Sequence, residues 1–140
     1  MSCCNGTPQY NPDLDGVSKT DIEGNVEIGQ GFFTSPGLLA SVIGHEMIHA
    51  QQLAEGRWYL EEQGIYMNEV EAYDWELSQA EYHGLSKAEK IEIVQLRGLY
   101  YSLLSEDNKA LADQGFYVLP MEAFPTPTEP SAELFVPFAV

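Results

Sequence analysis

Basic residues are scarce in this chain. Lys and Arg together number 6 against 22 Asp and Glu, a formal charge of −16 over 140 residues. So acidic a surface repels phosphate backbones and anionic headgroups, which argues against nucleic acid and membranes as partners. It is compatible with a neutral or cationic substrate and equally with a role in solubility alone. Cysteine is almost absent too. Its only occurrences are the neighbours Cys3 and Cys4; adjacent cysteines rarely pair with each other, so no disulfide framework follows. They read as reduced surface thiols or an intermolecular bridge, or more sharply as a thiolate that reaches a metal. No apolar run approaches the roughly 18 residues needed to cross a bilayer. The start of the chain shows neither a basic segment nor an apolar one of signal-peptide type. A cytoplasmic protein or a secreted effector domain both fit, and the chain can equally be one domain of a larger enzyme. There is no internal repeat.

What is present suits one globular domain. The hydrophobic fraction is 44%, and the length is enough for a core without a disulfide or metal staple. Residues 1–24 are rich in Gly, Pro, Asn and Asp and read as loops and turns. Gly24 to Gly29 alternates apolar and polar residues and reads as a short, half-buried edge strand. Thr34-Ser35-Pro36-Gly37 is a helix start, with Thr34 or Ser35 as N-cap and Pro36 at the first helical position. The apolar series Leu39, Val42, Ile43, Met47, Ile48, Leu53 predicts a largely buried helix ending near Gly56.

A second helix is expected over about Ile65 to Tyr82, stopped by His83-Gly84. Ser86 with Glu89 makes a capping box for a third, through about Leu104, with Ile91, Val94, Leu96, Leu99, Tyr100 and Leu103 as its apolar positions. A short turn or helix covers Asp107 to Asp113. The repeated prolines after Gly115 mark an extended tail, whose phenylalanines favour packing on the helices over disorder. The reading is therefore a domain over 1–115 and a packed Pro-rich tail over 116–140. The fold class is α+β, mostly helical with a small edge sheet.

The chemistry concentrates in Gly44-His45-Glu46-Met47-Ile48-His49. On a helix, residues four apart lie one turn apart on one face, so His45 and His49 present two imidazoles that one metal ion can bridge. Glu46 stands about 100° around the helix, where its carboxylate can reach a water on the metal instead of the metal itself. Zinc with three protein ligands keeps a position for that water and lowers its pKa to about 7; Glu46 then serves as general base. The uncharged neighbours Val42, Ile43, Met47, Ile48 and Ala50 suit a buried metal-bearing helix. Two structural histidines on a core helix are the bland alternative. Mn²⁺, Co²⁺ or Ni²⁺ would accept the same ligands as Zn²⁺.

A third ligand is needed, and the second helix offers Asn68-Glu69-Val70-Glu71-Ala72. Here the chain resembles the gluzincin group of zinc metallopeptidases, a zincin-like class whose third ligand is a Glu on the next helix. In thermolysin-like members that Glu follows the second His by 20 residues, commonly after Asn; His49 plus 20 is Glu69, after Asn68. Glu69-x-x-Ala72 also looks like the Glu-x-x-Ala of compact members, whose small Ala lets two helices approach. The resemblance thus implies His45, His49 and Glu69 as metal ligands, Glu46 as the catalytic base, and a minimal metallopeptidase core with its metal between two helices.

Glu71, about 200° from Glu69, should face elsewhere as a solvated charge. Thermolysin-like members carry an Asp four residues after the ligand Glu; this chain has Tyr73 there with Asp74 beside it, and no helix precedes the strand. His45 to Gln52 is also similar to the His-Glu-x-x-His-x-x-Gln-Gln of metallopeptidase-like domains in bacterial secreted toxins. The resemblance spans residues 42–76.

The expected function is hydrolysis of peptide bonds in a peptide or protein substrate. The electrophilic partner is open among Arg57, Tyr66, Tyr73, Tyr100 and His83, each with a plain structural reading as well. In zincins a peptide lies along the edge strand before the metal helix, a role that would fall to Val26-Glu27-Ile28-Gly29, with Glu27 favouring basic side chains. Two other readings stand beside this one: a zinc hydrolase or toxin effector acting on a cell-wall or non-protein substrate, and a metal-binding interaction module without turnover.

Overall fold

The computed structural model describes residues 6–14, 18–31, 35–57 and 61–119. Cys3, Cys4, Thr34, Trp58, Tyr59 and the tail from Pro120 onward lie outside the described residues, as do the readings made of them.

The N-terminal part holds more order than its loop-like composition suggests. β1 (Gln9–Tyr10) and β2 (Ser18–Thr20) join β3 (Val26–Ile28) in a three-stranded sheet of order β1-β3-β2. β1 runs parallel to β3, Gln9 opposite Glu27, and β2 antiparallel to it, Lys19 opposite Glu27. The strand expected at the edge is therefore central, and β2 is an edge. The hairpin between β2 and β3 is closed by the Asp21 carboxylate, which accepts from the backbone N–H groups of Glu23 and Asn25 at 2.9 and 3.0 Å. Gly24 takes the positive φ (85°) that the turn requires. Alternation then sorts the side chains: Ser18, Thr20, Val26 and Ile28 are buried, while Lys19 and Glu27 pair at 2.9 Å on the other face.

Among the described residues five helices follow, and their ends obey local rules. α1 (Pro36–Ala54) starts with Ser35 as N-cap, its hydroxyl accepting from the Leu38 N–H, and Pro36 at the first position. It stops at Glu55 before Gly56, at φ 74°. α2 (Glu62–Ser78) and the short α3 (Ala80–His83) replace the single second helix expected, with a break at Gln79 and a left-handed Gly84 as terminator. α4 (Lys87–Ser102) carries the Ser86–Glu89 capping box, and α5 (Glu106–Asp113) is capped by Ser105. Thus the α+β class holds: mostly helical, with a small mixed sheet. Among the described residues no helix is long and apolar enough to cross a membrane.

α2 packs against both α1 and α4. Close approach of α1 and α2 depends on Gly44, where a Cβ would stand 1.9 Å from the Trp75 ring. One apolar cluster joins the sheet to the helices through Val26, Ile28, Val42, Tyr73 and Ile93. A second lies where α2 meets the C-terminal helices, around Met67, Val70, Leu104, Ala112 and Leu119. Packing thus runs past Gly115: Leu119 is buried and the Tyr117 hydroxyl donates to Asp74 at 2.8 Å.

α4 turns inward only part of the apolar set expected. Ile93 is its buried residue and Leu96 and Tyr100 pack with the core, whereas Ile91, Val94, Leu99 and Leu103 are exposed. α4 has a second apolar stripe, and its contact with α2 decides which stripe is covered.

Candidate metal centre

Helical spacing alone places His45 and His49 one above the other on α1, and the α1–α2 contact sets Glu69 between them. The two Nε2 atoms approach to 3.0 Å. Glu69 Oε2 lies 3.3 Å from His45 Nε2, and Oε1 lies 3.1 Å from His49 Nε2. The three side chains thus meet in a compact triangle of donor groups, each Glu69 oxygen against a different imidazole nitrogen. Tetrahedral ligands at the usual zinc distances of roughly 2.0–2.2 Å are separated by about 3.3–3.6 Å, slightly more than the 3.0–3.3 Å seen here.

The donor set supports the same fit. All three side chains are buried, at 0–1% exposure, and the Glu69 oxygens sit against the two imidazoles with no other hydrogen-bond partner among the described residues. A buried carboxylate left in that state is costly unless a cation completes it. His45, His49 and Glu69 could together hold a metal ion.

The other nitrogen of each ring is occupied by a different kind of partner. Glu76 Oε2 lies 2.9 Å from His45 Nδ1, and its Oε1 accepts from the buried Ser41 hydroxyl. Gln52 Oε1 lies 2.9 Å from His49 Nδ1. These contacts favour the tautomer with Nδ1 protonated, which turns both Nε2 lone pairs to the triangle. The Gln52 amide is itself held, donating to the Asn68 carbonyl at 3.1 Å and to Glu71 Oε1 at 2.7 Å. Arg57 donates to the same Glu71 oxygen at 2.9 Å. Glu71 is thus no simple solvated charge: α2 presents it to the end of α1, where it anchors Gln52.

Charge in the cluster is strongly coupled. Burial depresses His45, but hydrogen bonds to Glu69 and Glu76 outweigh it and raise its pKa from 6.5 to about 10. His49 is raised as well, burial again opposing the attraction of Glu69. For Glu69 burial pushes upward, and the two imidazoles prevail and lower it from 4.5 to about 2. Without a metal the triangle therefore favours protons on the imidazoles, and a cation must displace them.

Glu46 is placed beside this triangle, near enough for its charge to act on His49. Its side chain is fully buried, and both carboxylate oxygens are engaged from β2. The Ser18 hydroxyl donates to Oε1 in a very short contact; the Thr20 hydroxyl donates to Oε2 at 2.6 Å and lies 3.1 Å from the Glu46 carbonyl.

The remaining candidates separate. The Tyr73 ring lies edge-on to His45, centroids 4.6 Å apart, and is fully buried. Tyr100 stacks on Tyr73 at 5.9 Å, with Tyr66 beyond it. Arg57 pairs with Glu55 and Glu71, and His83 sits against Trp75 at the end of α3. Asp74 turns away from the first His and binds Arg97. Glu76 was not singled out from the sequence, although a signal existed: seven residues after Glu69, it returns to the same face of α2 two turns on. Ser18 and Thr20 offered no such signal, because only the folding of β2 onto α1 brings them near Glu46.

No family model matches the chain, and neither curated proteins nor solved structures give a match.

Proposed function

We propose that the protein is a zinc-dependent hydrolase of peptide bonds. The observation that carries this reading is the buried Glu69 carboxylate, whose oxygens face two imidazole nitrogens at 3.1–3.3 Å and have no other hydrogen-bond partner among the described residues. His45, His49 and Glu69 would hold the ion; two nitrogens and one carboxylate are a donor set typical of hydrolytic zinc. A bound zinc would polarise the scissile carbonyl and lower the pKa of water to about 7. Glu46, one residue after the first His, is the group that would take the proton from the attacking water and pass it to the leaving amine. Glu76 and Gln52 keep the imidazoles oriented, and the Glu76 carboxylate at Nδ1 makes His45 the stronger donor. The substrate is a peptide or protein, and a cell-wall peptide would serve the same chemistry.

A second reading, a metal-binding module without turnover, is favoured by one observation. All four residues of the motif and third-ligand set are 0–1% exposed, and Glu46 is held by β2. Closed surroundings are the mark of structural zinc sites. The test is zinc content by mass spectrometry together with cleavage of a mixed peptide library. For the hydrolase we expect about one zinc per chain and cleavage that Glu46→Gln lowers by roughly 100-fold or more, with metal content retained. One zinc per chain with no cleavage would select the module, and no zinc after reconstitution would remove both.

A further inference from the structure

We propose that Ser18 and Thr20 are positioning residues for Glu46: two hydroxyls on the edge strand β2 that set where its carboxylate stands beside the His45–His49–Glu69 cluster. The inference rests on reading Glu46 as the base of a metal site.

The geometry supports it in three ways. Ser18 and Thr20 are two apart on β2, so strand alternation puts both on the face turned to α1, and both are fully buried. They converge on one side chain, each hydroxyl taking a different carboxylate oxygen, and Thr20 also reaches the Glu46 backbone. That leaves little rotational freedom to the carboxylate. An ionised carboxylate offers about four acceptor positions, so two hydroxyl donors still leave room for a water.

Packing alone does not call for this arrangement. Three apolar side chains would join β2 to α1 without desolvating an anion, and a buried carboxylate is a poor way to gain stability. Holding a polar group in one orientation next to a metal cluster is what such a pair of hydroxyls accomplishes.

Cobalt-loaded protein provides the test, because the visible absorption of Co²⁺ responds to the groups around the ion. Ser18→Ala, Thr20→Val, the double variant and the hydroxyl-preserving Thr20→Ser are compared with wild type and with Glu46→Gln. We expect the double variant to shift the spectrum in the direction of Glu46→Gln, the single variants to go part way, and Thr20→Ser to recover most of the difference. On the peptide library the double variant should lower kcat by about 10–100-fold with KM little changed. A folded double variant with the wild-type spectrum overturns the proposal and leaves the metal site standing. So does a Glu46→Gln spectrum identical to wild type, since the carboxylate then does not act on the ion.

Co²⁺ uptake without peptide cleavage overturns only the hydrolase reading, and the spectra still decide the positioning role. Failure of every form to bind Co²⁺ overturns the site and the proposal with it. Where the double variant does not fold, the single variants, with Thr20→Ser as the conservative control, decide on the same criterion.

Discussion

α2 borders two interiors of opposite character. Toward α1 it contributes Glu69 and Glu76, which meet Ser41, His45, His49 and Gln52 in a buried polar network. Toward the C-terminal helices it contributes Met67 and Val70, which meet Leu104, Ala112 and Leu119. The second region is what a domain of this size needs for stability: apolar surface removed from water at roughly 25 cal/mol per Å². The first is what stability alone would avoid, since replacing buried ionic groups with apolar ones is often neutral or stabilising. One helix thus separates the two tasks on different faces. The polar face carries the cluster that could hold a metal ion, and the apolar face holds the helix in place.

Variants on the two faces should then break different properties. The largest effect is expected from Glu69→Ala. Metal content should fall from about one ion per chain to near zero, by mass spectrometry of purified and zinc-reconstituted protein, because two imidazoles alone leave the tetrahedral set incomplete. Met67→Ala, on the other face, should lose about 2–5 kcal/mol in chemical denaturation while binding metal in the same stoichiometry. If Met67→Ala also abolished metal binding in the folded protein, the separation would fail.

Next in size, Glu76→Gln should weaken zinc by about 10–100-fold in competition titrations, with the fold kept. Gln52→Ala should act in the same direction but less, since an amide polarises its imidazole less than a carboxylate does.

The smallest effect is one of pH on the metal-free protein. His45, raised from 6.5 to about 10, binds more protons folded than unfolded between those values. Its contribution is complete below 6.5 and is lost as pH rises towards 10. Glu69, lowered from 4.5 to about 2, contributes fully above 4.5 and loses that contribution as pH falls towards 2. Metal-free protein should therefore be most stable between about 4.5 and 6.5 and lose roughly 1 kcal/mol or more on the alkaline side, the scale of one pKa unit. Zinc should remove the alkaline loss, since it occupies the nitrogens that the protons leave. Melting curves across pH with and without zinc measure this, and an alkaline loss that persists with zinc bound would count against His45 as a ligand.

Much of the architecture could be read locally. Ser35-Pro36, Ser86 with Glu89, and the left-handed glycines Gly56 and Gly84 mark helix ends where the structure has them, because caps depend on a handful of neighbouring residues. The His45–His49 pair follows from helical spacing in the same way. Other features depended on partners distant in the chain. β1 and β2 lie in a segment whose composition reads as loop, and they are strands because β3 pairs with both. The inward stripe of α4 is Ile93, Leu96 and Tyr100 because α2 and the core cover that stripe and leave Ile91, Val94 and Leu99 outside.

The same division runs through the candidate centre. The sequence by itself determined which residues could be ligands, since spacing on one helix is a property of the backbone alone and Glu69 lies at a separation familiar from a known family. Only the tertiary structure decided that Glu76 orients His45, that Gln52 is anchored through Glu71, and that Glu46 is held by Ser18 and Thr20. Those contacts join elements that approach because Gly44 admits Trp75 and because the sheet lies against α1. Local spacing specifies a pattern along one element, whereas the partner of a buried polar group is specified by whichever element packs against it.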